Sequence, residues 1–212
     1  MTIKKIVSSS YRNFTKGLIT NVFDRNVHNR GFLGGEDERP KSKENTTWRD
    51  MVRRCYDDEF KIKNPTYENC KVCEEWLNFQ NFAKWYDENY YEVDGQRMEL
   101  DKDILVKDNK IYSPETCIFV PQNINTLFIK ANSIRGQHPI GVSFHKPTEK
   151  YRATCNNIRE VYLGLFDTSN EAFNTYKIYK EKLIKSIAEK YKNEIPQKLY
   201  DAMYQYKVEI ND

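Results

Sequence analysis

Hydrophobic residues first fall into a clear period after residue 46. Trp48, Met51, Val52 and Cys55 occupy positions i, i+3, i+4 and i+7, the spacing of one helix face, with Thr46 or Thr47 where a helix cap belongs. A stretch of turn residues follows, with Asn64, Pro65 and Asn69. A second helix is then expected within Cys73 to Tyr91, its buried side formed by Trp76, Phe79, Phe82 and Trp85. Beyond it the period shortens. The pattern predicts a strand over Met98 to Leu105, a turn over Lys107 to Lys110 and a second strand near Thr116 to Val120. Pro121 suits a first helical turn, and Ile124, Leu127, Phe128 and Ala131 make one helix face after it.

The polar hinge ANSIRGQHP separates this from three alternating runs, GVSFH, KYRATCNN and VYLGLF, spaced by turn-like KPTE and NIRE. They predict a three-stranded antiparallel sheet. Thr168 or Ser169 caps a helix from Asn170 to about Tyr191, whose inner side is Ala172, Phe173, Tyr176 and Tyr179 or Lys180. Pro196 opens a last short helix carrying Leu199, Met203 and Tyr206 on one side. Residues 1–43, rich in glycine and polar groups, read as an irregular arm and linker with strands near Ile3 to Val7 and Leu18 to Phe23. The expected class is α+β, divided as arm 1–43, helical and ββα module 44–134, sheet-plus-helix domain 135–192 and C-terminal helix 193–212.

Charge adds a direction to this plan. The net charge is only +3, but Lys and Arg outnumber Asp and Glu by 9 to 4 over residues 1–43 and by 11 to 6 over 135–192, while 44–100 carries 8 against 13. Basic segments flanking an acidic one suit a polyanionic partner, because local charge collects phosphate. No apolar run approaches the length of a membrane span. MTIKKIVSSSYRN lacks the apolar stretch of a secretory signal, so a cytoplasmic location is expected. In that reducing compartment the five cysteines are thiols or metal ligands rather than disulfides.

ELDKDILVKDNKIYSPETCIFVPQNIN, with its strand, turn, strand, helix order, resembles the HNH (His-Me finger) endonucleases, and more closely phage-associated proteins that join such a motif to a small DNA-binding domain. The resemblance spans about Trp48 to Leu127. It places the family's Asp on Asp101, its catalytic His on Lys102, its central Asn on Thr116 and its helix ligand on Asn125. It implies one Mg²⁺-like ion held by Asp101 and Asn125 against a scissile phosphate, with a histidine taking the proton from water. Here that position is Lys102. A lysine at an ordinary pKa near ~10.4 attracts phosphate but accepts no proton, and Asp101 and Asp103 oppose any lowering by burial. Asp103 as ligand or base, or a histidine such as His28 or His138 arriving from elsewhere, would restore the chemistry. Cys55, Cys70, Cys73 and Cys117 are four thiols that one tetrahedral Zn²⁺ would use, although only Cys70 and Cys73 form a close pair; buried free cysteines are the alternative.

Gly141 to Tyr176, through GVSF, KYRATCNN, VYLGLFDT and EAFNTY, resembles the DNA-binding domain of plant ethylene-response factors. Val142, Phe144, Ala153, Leu163 and Phe166 are expected to face the helix, with Gly164 allowing close approach. The other side then presents Ser143, His145, Arg152, Thr154, Asn156 and Arg159. The resemblance implies that this side enters the major groove, with Lys146 and Lys150 on phosphates. Three functions follow as expectations: double-stranded DNA binding by a chain of nuclease ancestry, metal-dependent DNA cleavage, and a silent scaffold that binds a host protein, each in the cytoplasm of a bacterial host.

Overall fold

Ser42 starts the first helix: its hydroxyl accepts from the Asn45 N–H at 3.1 Å, one turn earlier than the threonines expected at the cap. The computed structural model describes residues 24–37, 39, 41–129, 137–156, 159–210 and 212. The expected strands near Ile3 to Val7 and Leu18 to Phe23, and Ala131, lie outside them. The described elements are, in chain order, α1 (Lys43–Tyr56), α2 (Asp58–Lys63), β1 (Lys71–Val72), α3 (Phe79–Asn89), β2 (Met98–Asp101), β3 (Ile111–Tyr112), β4 (Ile118–Pro121), α4 (Gln122–Asn125), β5 (Val142–His145), β6 (Lys150–Asn156), β7 (Glu160–Phe166), α5 (Ser169–Tyr191) and α6 (Gln197–Gln205). The class is α+β. The chain divides into two units, the first comprising residues up to Tyr91 with Leu100–Phe119, the second Glu92–Glu99 with Val120–Asp212. The division falls within the ββα segment and not at residue 134.

In the first unit, α1 buries Trp48, Met51, Val52 and Cys55, the side its spacing predicts. Asn78 caps α3 by accepting from Gln80 N–H at 2.9 Å. The aromatic residues of this region then make a single core. The Trp76 and Trp85 rings lie 4.6 Å apart and Trp85 and Phe119 5.4 Å apart, while the buried Trp48 indole donates to the Trp76 carbonyl at 2.7 Å. Each such ring contributes about 1.5–3 kcal/mol by leaving water. The helix expected over Cys73 to Tyr91 is shorter, with a 3-10 turn at Glu75–Leu77 before α3. Three elements were not expected: α2, capped by Asp57, and the two-residue strands β1 and β3, which pair in parallel through Lys71↔Ile111 and Val72↔Tyr112. β2 stops at Asp101, four residues before Leu105. It pairs with β4. Pro121 ends β4 and precedes α4, a single turn continued as 3-10 helix over Thr126–Phe128.

In the second unit, β5, β6 and β7 form the expected antiparallel sheet in that order. Val142 pairs with Ala153, Arg152 with Leu165 and Thr154 with Tyr162, with a bulge between Ala153 and Thr154. Thr168 caps α5, and the Glu171 side chain closes a capping box by returning to the Thr168 N–H at 3.1 Å. Val142, Ala153 and Cys155 of the sheet and Ala172, Phe173 and Tyr176 of α5 form the core, joined by Val208. Leu163 and Phe166 pack against it, but Phe144 is 43% exposed and lies at its margin beside Tyr151. The close approach expected at Gly164 belongs to Gly141: with φ +76°, a Cβ there would meet the Tyr176 ring at 2.1 Å, whereas one at Gly164 would meet Phe166 of its own strand at 3.0 Å. Further along, Ile184 and Ala188 of α5 and Leu199 and Met203 of α6 are fully buried. No helix of the described residues is long and apolar enough to cross a membrane.

Candidate nucleic-acid interface and acidic turn

Strand alternation decides what the sheet shows outside its helix-packed side. Because Val142, Ala153 and Cys155 point into the core, their neighbours Ser143, His145, Lys150, Arg152, Thr154 and Asn156 point away from it, and the register adds Glu160, Tyr162 and Leu165 from β7. Arg152 lies between Ser143 and Leu165, its Nε donating to Ser143 Oγ at 3.4 Å. His145 Nδ1 and Thr148 Oγ1 are 2.8 Å apart across the turn that carries exposed Lys146. Lys150 forms an ion pair with exposed Asp167 at 2.9 Å. Arg159 is exposed just before β7. The residues expected to meet DNA therefore share one side of the sheet or its adjoining turns. Tyr162, 60% exposed in the middle of β7, was missed, because the bulge that sets it opposite Thr154 has no mark in the sequence.

The acidic turn has the opposite character. Asp101 Oδ1 accepts from the N–H groups of Asp103 at 2.9 Å and Ile104 at 2.7 Å, which folds the chain back at the end of β2. Lys102 is only 7% exposed; its Nζ donates to Asp103 Oδ2 at 3.1 Å and lies 5.8 Å from the centre of the Tyr112 ring. Asn109 Nδ2 donates to the carbonyls of Lys102 and Ile111, both at 2.7 Å, closing the loop between β2 and β3. Burial works against the Lys102 ammonium, but Asp103 foremost, then Cys70 and Asp101, carry its pKa above the ordinary lysine value. Burial, reinforced by Asp103, raises the Asp101 carboxyl to about 6 against the pull of the two N–H groups and Lys102.

Asn125 sits on α4 in the second unit, whereas Asp101 and Asp103 belong to the first. His28 Nδ1 lies 3.4 Å from Asp57 Oδ2, and His138 stands edge-on to Tyr151 at 5.6 Å. Thr116 Oγ1 donates to the Ile111 carbonyl at 2.8 Å. All five cysteines are free thiols. Burial, then Cys70, raises Cys55 to about 12; burial also raises Cys70, Cys73 and Cys117, with Cys73 the thiol that Cys117 senses. Among the described residues no group of three or more His, Cys, Asp or Glu side chains is placed to hold a metal ion.

Comparison with protein families, with characterised proteins and with solved structures finds no match.

Proposed function

We propose that this chain binds double-stranded DNA through the outer side of β5–β7, and that it holds the duplex without cutting it. The observation that supports this most is the separation of the sheet into an apolar side packed on α5 and a side carrying Arg152, Thr154, Asn156 and Tyr162 toward solvent. Arginine and asparagine present paired hydrogen-bonding groups to guanine and adenine edges, and Lys146 and Arg159 extend positive charge to where phosphates would run. Strands can serve as the reading element in a major groove.

Cleavage by the histidine mechanism requires a proton acceptor where Lys102 stands. An ammonium whose pKa is raised has no lone pair to offer at neutral pH. The role of Lys102 is therefore structural.

Duplex binding by fluorescence anisotropy tests the reading. Affinity should fall steeply as salt rises, and Arg152→Ala with Arg159→Ala should weaken it by about 10- to 100-fold with a shallower salt slope. Salt-independent binding, or full affinity in the double variant, would refute it. A plasmid-nicking assay with Mg²⁺ or Mn²⁺ addresses the second half, with intact supercoiled plasmid as the expected result.

A further inference from the structure

The ββα resemblance implies a divalent ion at Asp101, and the donors there do not fit one. Mg²⁺ needs oxygen lone pairs arranged octahedrally at about 2.0–2.1 Å. Asp101 Oδ1 is already shared between two backbone N–H groups that define the turn, which leaves that carboxylate a single oxygen, Oδ2, to offer an ion. Asp103 Oδ2 is engaged by the Lys102 ammonium at 3.1 Å. An ion drawn to Asp103 would face that buried positive charge at close range, in surroundings that screen it poorly.

We propose that the Lys102 ammonium is a built-in cation that takes the place of an exogenous divalent ion in the acidic turn. Two carboxylates with one residue between them repel each other, and partial burial sharpens that repulsion. A cation close by eases the ionisation of both. Lys102 supplies it from within the chain, because the residue between Asp101 and Asp103 turns its side chain inward, where Nζ meets the Asp103 carboxylate and the Tyr112 ring. Asn109 fixes this arrangement by holding the Lys102 carbonyl, so that the main chain at Lys102 cannot swing outward without breaking a 2.7 Å hydrogen bond. The turn is closed without metal, and Lys102 offsets one of its two carboxylate charges. The inference stands on the first unit alone and does not depend on DNA being the partner.

The test is a Mn²⁺ titration of the full chain, read by electron paramagnetic resonance of free Mn²⁺ and by melting temperature at matched ionic strength. Wild type should leave the Mn²⁺ signal undiminished and melt at the same temperature in Mg²⁺, Mn²⁺ or EDTA. Lys102→Ala should melt lower, take up Mn²⁺ and regain part of the loss, and the added change Asp103→Asn should abolish that uptake. Lys102→Gln serves if the alanine variant does not fold. Uptake by wild type that disappears in Asp101→Asn or Asp103→Asn would overturn the proposal, as would a folded Lys102 variant that takes up no Mn²⁺.

Discussion

The acidic turn and the outer side of the sheet both carry charged and polar residues, and they use them in opposite ways. In the turn, the polar groups are engaged inside the protein: Asp101 by two amides, Asp103 by Lys102, Asn109 by two carbonyls. On the sheet, Thr154, Asn156 and Tyr162 line up toward solvent, and Arg152 makes a long hydrogen bond to Ser143. Satisfied polar groups fix a shape, whereas polar groups aligned on a rigid surface and turned outward are available to a partner. The two regions thus differ in how their polar groups are used, and the proposed duplex binding rests on the sheet alone.

The largest effect that would sharpen this contrast is on binding. Arg152→Ala with Arg159→Ala should cost about 1–3 kcal/mol of DNA affinity in total, while stability changes by less than about 0.5 kcal/mol, checked by anisotropy beside thermal melting. Lys102→Ala should do the reverse. Its ion pair is buried on one side only, Asp103 being 43% exposed at the side chain, so a loss of about 1–2 kcal/mol in stability is expected, with DNA affinity kept.

Asp101 gives a pH signature. Its folded pKa of about 6 lies above the ordinary aspartate value near 3.9, so the folded state holds the proton more tightly and stability declines as pH rises from about 4 through 6. Asp101→Asn keeps the acceptor oxygen and removes the charge. Urea melts across that window should show a flatter pH profile for the variant, by on the order of 1 kcal/mol. An equally sloped profile would show that Asp101 is not the group responsible.

The smallest effect concerns Lys180 on the core side of α5. It is 7% exposed, its pKa is lowered by burial, and its neighbour is the Cys155 thiol rather than a carboxylate. Such a lysine costs stability while protonated, and the domain should gain stability as pH rises between its folded pKa and about 10.4. Lys180→Met should raise the melting temperature at neutral pH by a few degrees, corresponding to about 1 kcal/mol. A drop would mean that the ammonium has a use the core does not reveal.

What could be read in the sequence follows from where periodicity exists. The α1 side from Trp48 to Cys55, the aromatic residues of α3 and the sheet-plus-helix order of β5 to α5 all appear as expected, because amphipathic spacing over many residues has few alternatives. β1 and β3 were invisible, since two-residue strands paired across about forty positions have no local pattern. Ser42 displaced Thr46 and Thr47 as cap because propensity alone does not choose among neighbouring hydroxyls. The roles of Gly141 and Gly164 were exchanged, a matter of which backbone sits against the Tyr176 ring and not of composition. At the candidate site, the outward residues of β6 were legible from alternation. Tyr162 was not, because the bulge between Ala153 and Thr154 shifts the register by which β7 is counted. The inward course of Lys102 was also hidden, since a lysine between two aspartates at a strand end normally points to water.

The most direct measurement is an amide NMR titration of the full chain with a short DNA duplex at low salt. The account predicts that shifts concentrate at residues 143–166, centred on Arg152, Thr154 and Tyr162, and leave Asp101–Asn109 in place. Perturbation confined to residues 44–100, or at Asp101–Asn109 with the sheet unaffected, would contradict it.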